Sequence, residues 1–236
     1  MRMRRKKNGA QRLAACSDLL IKAQEKIGSS SDVFSNDGEL HLEIGCGKGG
    51  FACGMAEKYP SVNFIALERV HDVMVLALEK AKSRSELRPN DNLRFMLTGA
   101  ENLSELFDAH SLDTIYLNFS DPWHKNGYSM RRLTYRKFLY TYFDLLKVGG
   151  KLRFKTDNRA LFDFTLEELA AIGVECDFVT NDLHASEYAA DNVMTEYETN
   201  FTSQGMKINF LCVTSKGKVE KVEKSEKSEK AEKAEE

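Results

Sequence analysis

Apolar residues along this chain follow two rhythms that take turns. LHLEI (40–44), VNFIALE (62–68), LRFML (93–97), LDTIYLNF (112–119) and KLRFKT (151–156) are short apolar runs that read as buried strands. Between them the spacing lengthens. Val70, Val73, Met74, Ala77, Leu78 and Ala81 recur at helical intervals and predict a helix over 70–84. Tyr135, Phe138, Leu139, Tyr142, Leu145 and Leu146 predict another, closed by Gly149-Gly150. Residues 49–59 open with glycines and continue as a helix that stops before Pro60. A helix is expected from the fifth strand to about Ile172, then strands near 174–180 and 207–213. At the front, 13–27 are expected to be helical and 29–39 to form a loop. Strands separated by helical segments of this length imply βαβ units, hence an α/β fold with a mostly parallel, doubly wound sheet. In such sheets ligands bind where loops leave the C-terminal strand ends.

Composition adds limits. The chain has 236 residues, 42% hydrophobic and 30% charged, as expected of one ordinary domain. No apolar run approaches the roughly 20 residues that cross a bilayer, and no apolar segment follows the basic start MRMRRKKNGAQR. Five scattered cysteines without a C-x-x-C pair, and five histidines without ligand spacing, suggest a reducing cytoplasm, no disulfide framework and no metal. The net charge of −2 conceals an uneven distribution. Residues 1–12 carry six bases and no acid, which reads as a flexible basic arm. Residues 216–236 balance seven lysines with seven glutamates in a low-complexity tail, disordered or transiently helical. The domain between, 13–215, therefore carries −8, so a polyanion would have to dock on a local basic patch.

The strand ends hold the candidate chemistry. E-I-G-C-G-K-G (43–49) lies between a strand and a helix, where Gly45 and Gly47 allow a tight turn and close approach of a ligand. A glycine turn alone does not separate dinucleotides from S-adenosylmethionine. Glu43 bears on that choice, because an acid before the glycines would repel a pyrophosphate and suits a cationic ligand end. Glu68 ends the second strand, where a carboxylate accepts ribose hydroxyls. Gly99 and Ala100 follow the third strand and offer backbone contacts to an adenine. Asp121 follows the fourth, in FSDPW, with Pro122 restricting its backbone. Lys125, Arg131, Arg132, Arg136 and Lys137 then set five cations against one acid, the local patch a phosphate backbone requires. Asp157 ends the fifth strand in KTDN, and TEYE (195–198) sits in a long segment with little structural signal.

E-x-G-C-G-K-G, the strand-ending Glu68, F-S-D-P-W-x-K followed by R-R-L-T, K-T-D-N and T-x-Y-E together resemble the bacterial tRNA (guanine-N7-)-methyltransferase family, over residues 1 to about 213. The chain departs from that family's pattern in His124, in the diluted basic run over 126–130 and in Gly99. The resemblance implies a Rossmann-like methyltransferase fold with seven strands. It implies S-adenosylmethionine as cofactor, held by Glu43, Gly45, Gly47, Glu68, Gly99, Ala100 and Asp121, with Asp121 also catalytic. It implies Lys125, Asp157, Thr195, Glu196, Tyr197 and Glu198 as substrate contacts. Gly127, Tyr128, Ser129, Met130, Arg131 and Arg132 become the RNA-contacting stretch. The implied substrate is tRNA, at the variable-loop guanosine of position 46, and the implied assembly is a monomer or homodimer. An amino-methyltransferase acting on another nucleic-acid base is the alternative, since D-P-W is similar to the D/N-P-P-Y/F loop of those enzymes.

Overall fold

The computed structural model describes residues 8–21, 26–87 and 91–220. Residues 1–7 of the expected basic arm, 22–25 of the expected first helix and 221–236 of the Lys/Glu tail lie outside the described residues. Seven strands form one sheet in the order β3-β2-β1-β4-β5-β7-β6. They are β1 (Leu40–Ile44), β2 (Asn63–Leu67), β3 (Leu93–Met96), β4 (Leu112–Asn118), β5 (Leu146–Thr156), β6 (Phe178–Thr180) and β7 (Asn209–Thr214). The first five run parallel, and β7 inserts antiparallel between β5 and β6. Strand order reverses between β1 and β4, which opens a crevice at their C-terminal ends.

Helices cover both faces, as continuous apolar strands require. Helices α2 (Gly50–Lys58) and α3 (His71–Ser83) pack Phe51, Met55, Met74 and Leu78 against Phe64, Phe95 and Tyr116. Helices α5 (Arg136–Leu145) and α6 (Arg159–Ala171), with short α4 (Leu103–Leu106), cover the other face with Leu139, Phe143, Leu161, Phe162 and Leu103. No described helix is long and apolar enough to cross a membrane. Among the described residues no His/Cys/Asp/Glu group could hold a metal. None of the five cysteines is in a disulfide.

Three expectations need correction. Residues 13–27 do not form one helix. Helix α1 (Gly9–Ala14) starts within the expected arm and is tied to α3 by a two-pronged Arg12–Glu79 ion pair. The chain then runs beside β3, with a parallel bridge from Leu20 to Phe95. Gly149-Gly150 do not cap α5. The helix passes directly into β5 at Leu146, and the glycines form a bulge opposite β4, with Gly149 at φ +84°. A side chain on Gly150 would meet the backbone carbonyls of Asp113 and Lys147 at 3.0 Å. Finally, TEYE is not loop: α7 (Glu196–Thr202) begins there, with Thr195 as N-cap.

Arg136, read from sequence as part of a phosphate-binding patch, is a structural residue. Its guanidinium grips the buried Glu168 of α6 at 2.8 and 3.0 Å, and its own N–H donates to the same carboxylate at 2.7 Å. Glu168 is only 5% exposed. Arg136→Ala would strand that charge, so an unfolding free energy lower by about 3 kcal/mol is expected in urea titration. The salt dependence of RNA binding should stay as in the wild type.

Candidate active site

A cleft of about 530 Å³ opens where the strand order reverses. Gly45, Glu68, Gly99, Ala100 and Asp121, each singled out from sequence, line it together. Arg69, Thr98, Glu101, Ser120, Trp123, Met130 and Arg131 complete most of the polar and aromatic wall.

The floor is the turn after β1. Gly45 and Gly47 take φ +78° and +56°, the left-handed region that favours glycine. A Cβ on either would meet nothing within 4 Å, so open space lies over the turn. Glu68 braces it: one carboxylate oxygen accepts the Gly47 N–H at 3.2 Å, the other the Val70 N–H at 2.9 Å. Glu43 lies one step deeper, 4% exposed, at the end of β1. Its Oε1 accepts from Asn118 at 2.8 Å, and its buried Oε2 has no hydrogen-bond partner. Burial pushes the Glu43 carboxyl up to about 7, against the pull of Asn118 and the field of Lys155. An orphaned acceptor beneath an open glycine cradle fits a cationic group.

The second wall leaves β4. Phe119 donates its N–H to the Lys155 carbonyl at 2.9 Å and turns left-handed at φ +52°. Trp123 does the same at φ +43°. Each such aromatic residue costs on the order of 1–3 kcal/mol, so surrounding contacts must hold the Asp121 loop in shape. Arg132 supplies them, donating to the Pro122 carbonyl at 2.9 Å and the Trp123 carbonyl at 3.2 Å while its guanidinium packs on Phe164. Arg132, expected to contact RNA, is thereby committed to the loop. Arg131 stacks over Trp123 and Tyr128 at 5.1 and 4.6 Å yet stays exposed at the cleft. Met130 is 64% exposed, and Gly127 and Ser129 belong to the same two-turn 3-10 segment, Asn126–Arg131. Lys125 and Lys137 are exposed beside it.

Helix α7 lies beside the cleft, against Phe119 of its wall. Thr195 accepts the Glu198 N–H at 2.9 Å, and Glu198 accepts the Thr195 N–H in return, a capping box. Glu196 forms an ion pair with Lys80 of α3. Tyr197 is 57% exposed, with its ring 5.7 Å from that of Phe119. Glu198, read from sequence as a substrate contact, is fully buried and occupied: Lys155 Nζ donates to it at 2.6 Å, Asn192 at 2.6 Å, and His184 lies at 3.0 Å. Burial pulls the Lys155 ammonium pKa down, and Glu198 opposes that shift. Asp157 stands half-buried just past β5.

Sequence reading missed Asn118, Ser120 and Lys155. Lys155 carried a signal, since a lysine inside a strand covered on both faces has to find a buried partner. Its partner carried one too: T-x-x-E is a helix-start signature.

The family model described as "Putative methyltransferase" matches residues 37–211. A "tRNA (guanine-N(7)-)-methyltransferase" of Brevibacillus brevis is 46% identical over 77% of this chain and 83% of its own length. The protein of the same name from Lactococcus lactis subsp. cremoris strain SK11 is 43% identical over 88% of this chain and 95% of its own. Among solved structures, the 16S rRNA methyltransferase KamB superposes with a TM-score of 0.59 at 15% identity, over 84% of this chain and 98% of its own. An antibiotic-related methyltransferase gives 0.57 at 20%, over 78% and 90%. These two likenesses concern the fold, while the sequence relatives match most of the chain at over 40% identity, and the chain belongs to the tRNA (guanine-N(7)-)-methyltransferase family.

Proposed function

We infer that the chain transfers a methyl group from S-adenosylmethionine to N7 of a guanine in tRNA, and we propose the variable-loop guanosine at position 46 as the target. Beside family membership, the observation that carries this reading is the convergence of the glycine cradle, Glu68 and Asp121 on one cleft walled by Trp123 and Arg131.

S-adenosylmethionine, when bound, supplies an electrophilic methyl group on a sulfonium. The orphaned Glu43 Oε2 suits its ammonium, and the space over Gly45 and Gly47 suits its amino-acid end. Glu68 offers its carboxylate to the ribose hydroxyls. The Gly99–Ala100 backbone borders the adenine. Guanine N7 keeps a free lone pair at neutral pH, so no base has to remove a proton first. The protein's task is alignment, which supplies several kcal/mol of the barrier. Asp121 holds the guanine against the cleft and stabilises the positive charge the purine acquires. The exposed Tyr197, beside Phe119, gives the base an aromatic surface. Lys125 donates to O6, which leaves N7 free. Thr195, Glu196 and Asp157 border the substrate side. Tyr128, Met130 and Arg131 meet the RNA, Arg131 through a phosphate.

Incubating the protein with labelled S-adenosylmethionine and bulk tRNA, then mapping the product, should give 7-methylguanosine in the variable loop. Label on an exocyclic amine would make the chain an amino-methyltransferase instead. Asp121→Ala should lower kcat by about 100-fold or more with cofactor affinity nearly intact. Because Glu43 must be charged to hold an ammonium and its carboxyl sits at about 7, cofactor affinity should rise with pH. Calorimetry from pH 6 to pH 8 should show roughly a tenfold gain, absent in Glu43→Gln. Arg131→Ala should lower the salt slope of tRNA binding by about one, whereas Arg132→Ala should cost turnover and leave that slope alone.

A further inference from the structure

Lys155 enters the chemistry above only through its field on Glu43, yet its ammonium is the most deeply engaged charge at the site. Its side chain is 4% exposed. It donates to Glu198 Oε2 at 2.6 Å, to Asn192 Oδ1 at 2.8 Å and to the Val193 carbonyl at 2.9 Å. Its three hydrogen bonds therefore all go to one short segment, the entry and first turn of α7. The carbonyl of the same residue accepts the Phe119 N–H, which fixes the first left-handed position of the loop that carries Asp121. Side chain and backbone of one residue thus tie both α7 and the loop carrying Asp121 to β5. The rings of Tyr197 and Phe119 meet between these two elements.

Stability alone does not account for such a pair. A buried ion pair costs several kcal/mol of desolvation per ion, and apolar residues of similar size often stabilise a fold as well or better. What the pair supplies is registry, since a methionine in place of Lys155 would fill the space without selecting where α7 sits. The helix has only seven residues, too few to be stable by itself, so its position depends on what it is tied to.

We propose that Lys155 is a positioning residue for the tRNA substrate: through Glu198 it locks α7 to the sheet and so holds Tyr197 against Phe119 beside Asp121. Glu198 then acts through Lys155 and does not touch the tRNA. The inference rests on the functional reading above, but fails separately from it. If the wild-type protein forms no 7-methylguanosine, that reading is wrong. If it does, the variants below bear on Lys155 alone.

The experiment compares the full-length wild type with Lys155→Met, Glu198→Gln, the double variant and Lys155→Arg. It reads kcat and KM for tRNA, cofactor affinity by calorimetry, and amide hydrogen exchange over 192–202. Each of the first two variants should lose roughly 30-fold or more in kcat/KM for tRNA, and the double should lose no more than about threefold beyond the poorer single, because the pair acts as one unit. Lys155→Arg should recover to within about tenfold of wild type. Exchange over 196–202 should quicken while cofactor affinity, read at pH 8.5 so that Glu43 stays charged without the field of Lys155, changes by less than about fivefold. Losses that multiply in the double would overturn the proposal, as would an unimpaired Lys155→Met beside a crippled Glu198→Gln, which would make Glu198 a direct contact. Cofactor affinity falling as far as kcat/KM would reduce the pair to general stability. Should Lys155→Met fail to fold by circular dichroism, Glu198→Gln and Lys155→Arg decide the matter on the same criteria.

Discussion

Strand order reverses between β1 and β4, and everything at the site is a response to that reversal. Two neighbouring strands send their following loops to opposite sides, leaving a gap that neither helix layer closes. The turn after β1 supplies a floor made largely of backbone, and the loop after β4 supplies a wall that carries an acid. The Asn118–Glu43 hydrogen bond spans the two strands at the point of divergence. It commits one oxygen of a buried carboxylate to the scaffold and leaves the other without a hydrogen-bond partner. Burial raises the pKa of a carboxylate held this way.

The cations near the cleft divide by partner. Counted along the sequence, five basic residues between Lys125 and Lys137 look alike. In the fold, Arg136 neutralises Glu168 on the far helix layer, and Arg132 spends its donors on the Pro122 and Trp123 carbonyls. Lys125, Arg131 and Lys137 remain exposed. An acidic domain that must hold a polyanion therefore presents fewer free charges than its sequence suggests, and of the three only Arg131 lines the cleft. Exposed cations of this kind contribute through the phosphate field and weaken with salt.

Most of the fold was legible because the periodicities were strong. β1 is found at the residues its apolar run predicts, and β2, β3 and β4 differ by one or two. The misreadings have physical causes. Gly149-Gly150 look like a helix stop, but a β-bulge needs the same conformational freedom. Residues 13–27 lean on the edge strand β3, a long-range contact that local spacing does not encode. At the site, Glu43, Glu68 and Asp121 stand out because carboxylates at strand ends are conspicuous, and the fold brings Glu68 and Asp121 to one cleft. Arg132 and Glu198 were assigned to the substrate because a charge in a motif invites that reading, and only three-dimensional packing shows each facing inward. Lys155 escaped notice in a strand whose other face is apolar.

The tie between β5 and α7 also bears on the order in which the molecule assembles. Lys155 and Glu198 stand 43 residues apart, with α6, β6 and two single-turn segments between them. The floor joins β1 to β2 across only 21 residues, from Gly47 to Glu68, but its tie to β4, Asn118 to Glu43, spans 75. Loop-closure entropy grows slowly with length, so ties of 43 and 75 residues differ by only about 0.5 kcal/mol, and each gains little until its donor meets its carboxylate. Both depend on the sheet order that seats β4 and β5 beside β1, so the cleft takes shape only as the domain folds as a whole.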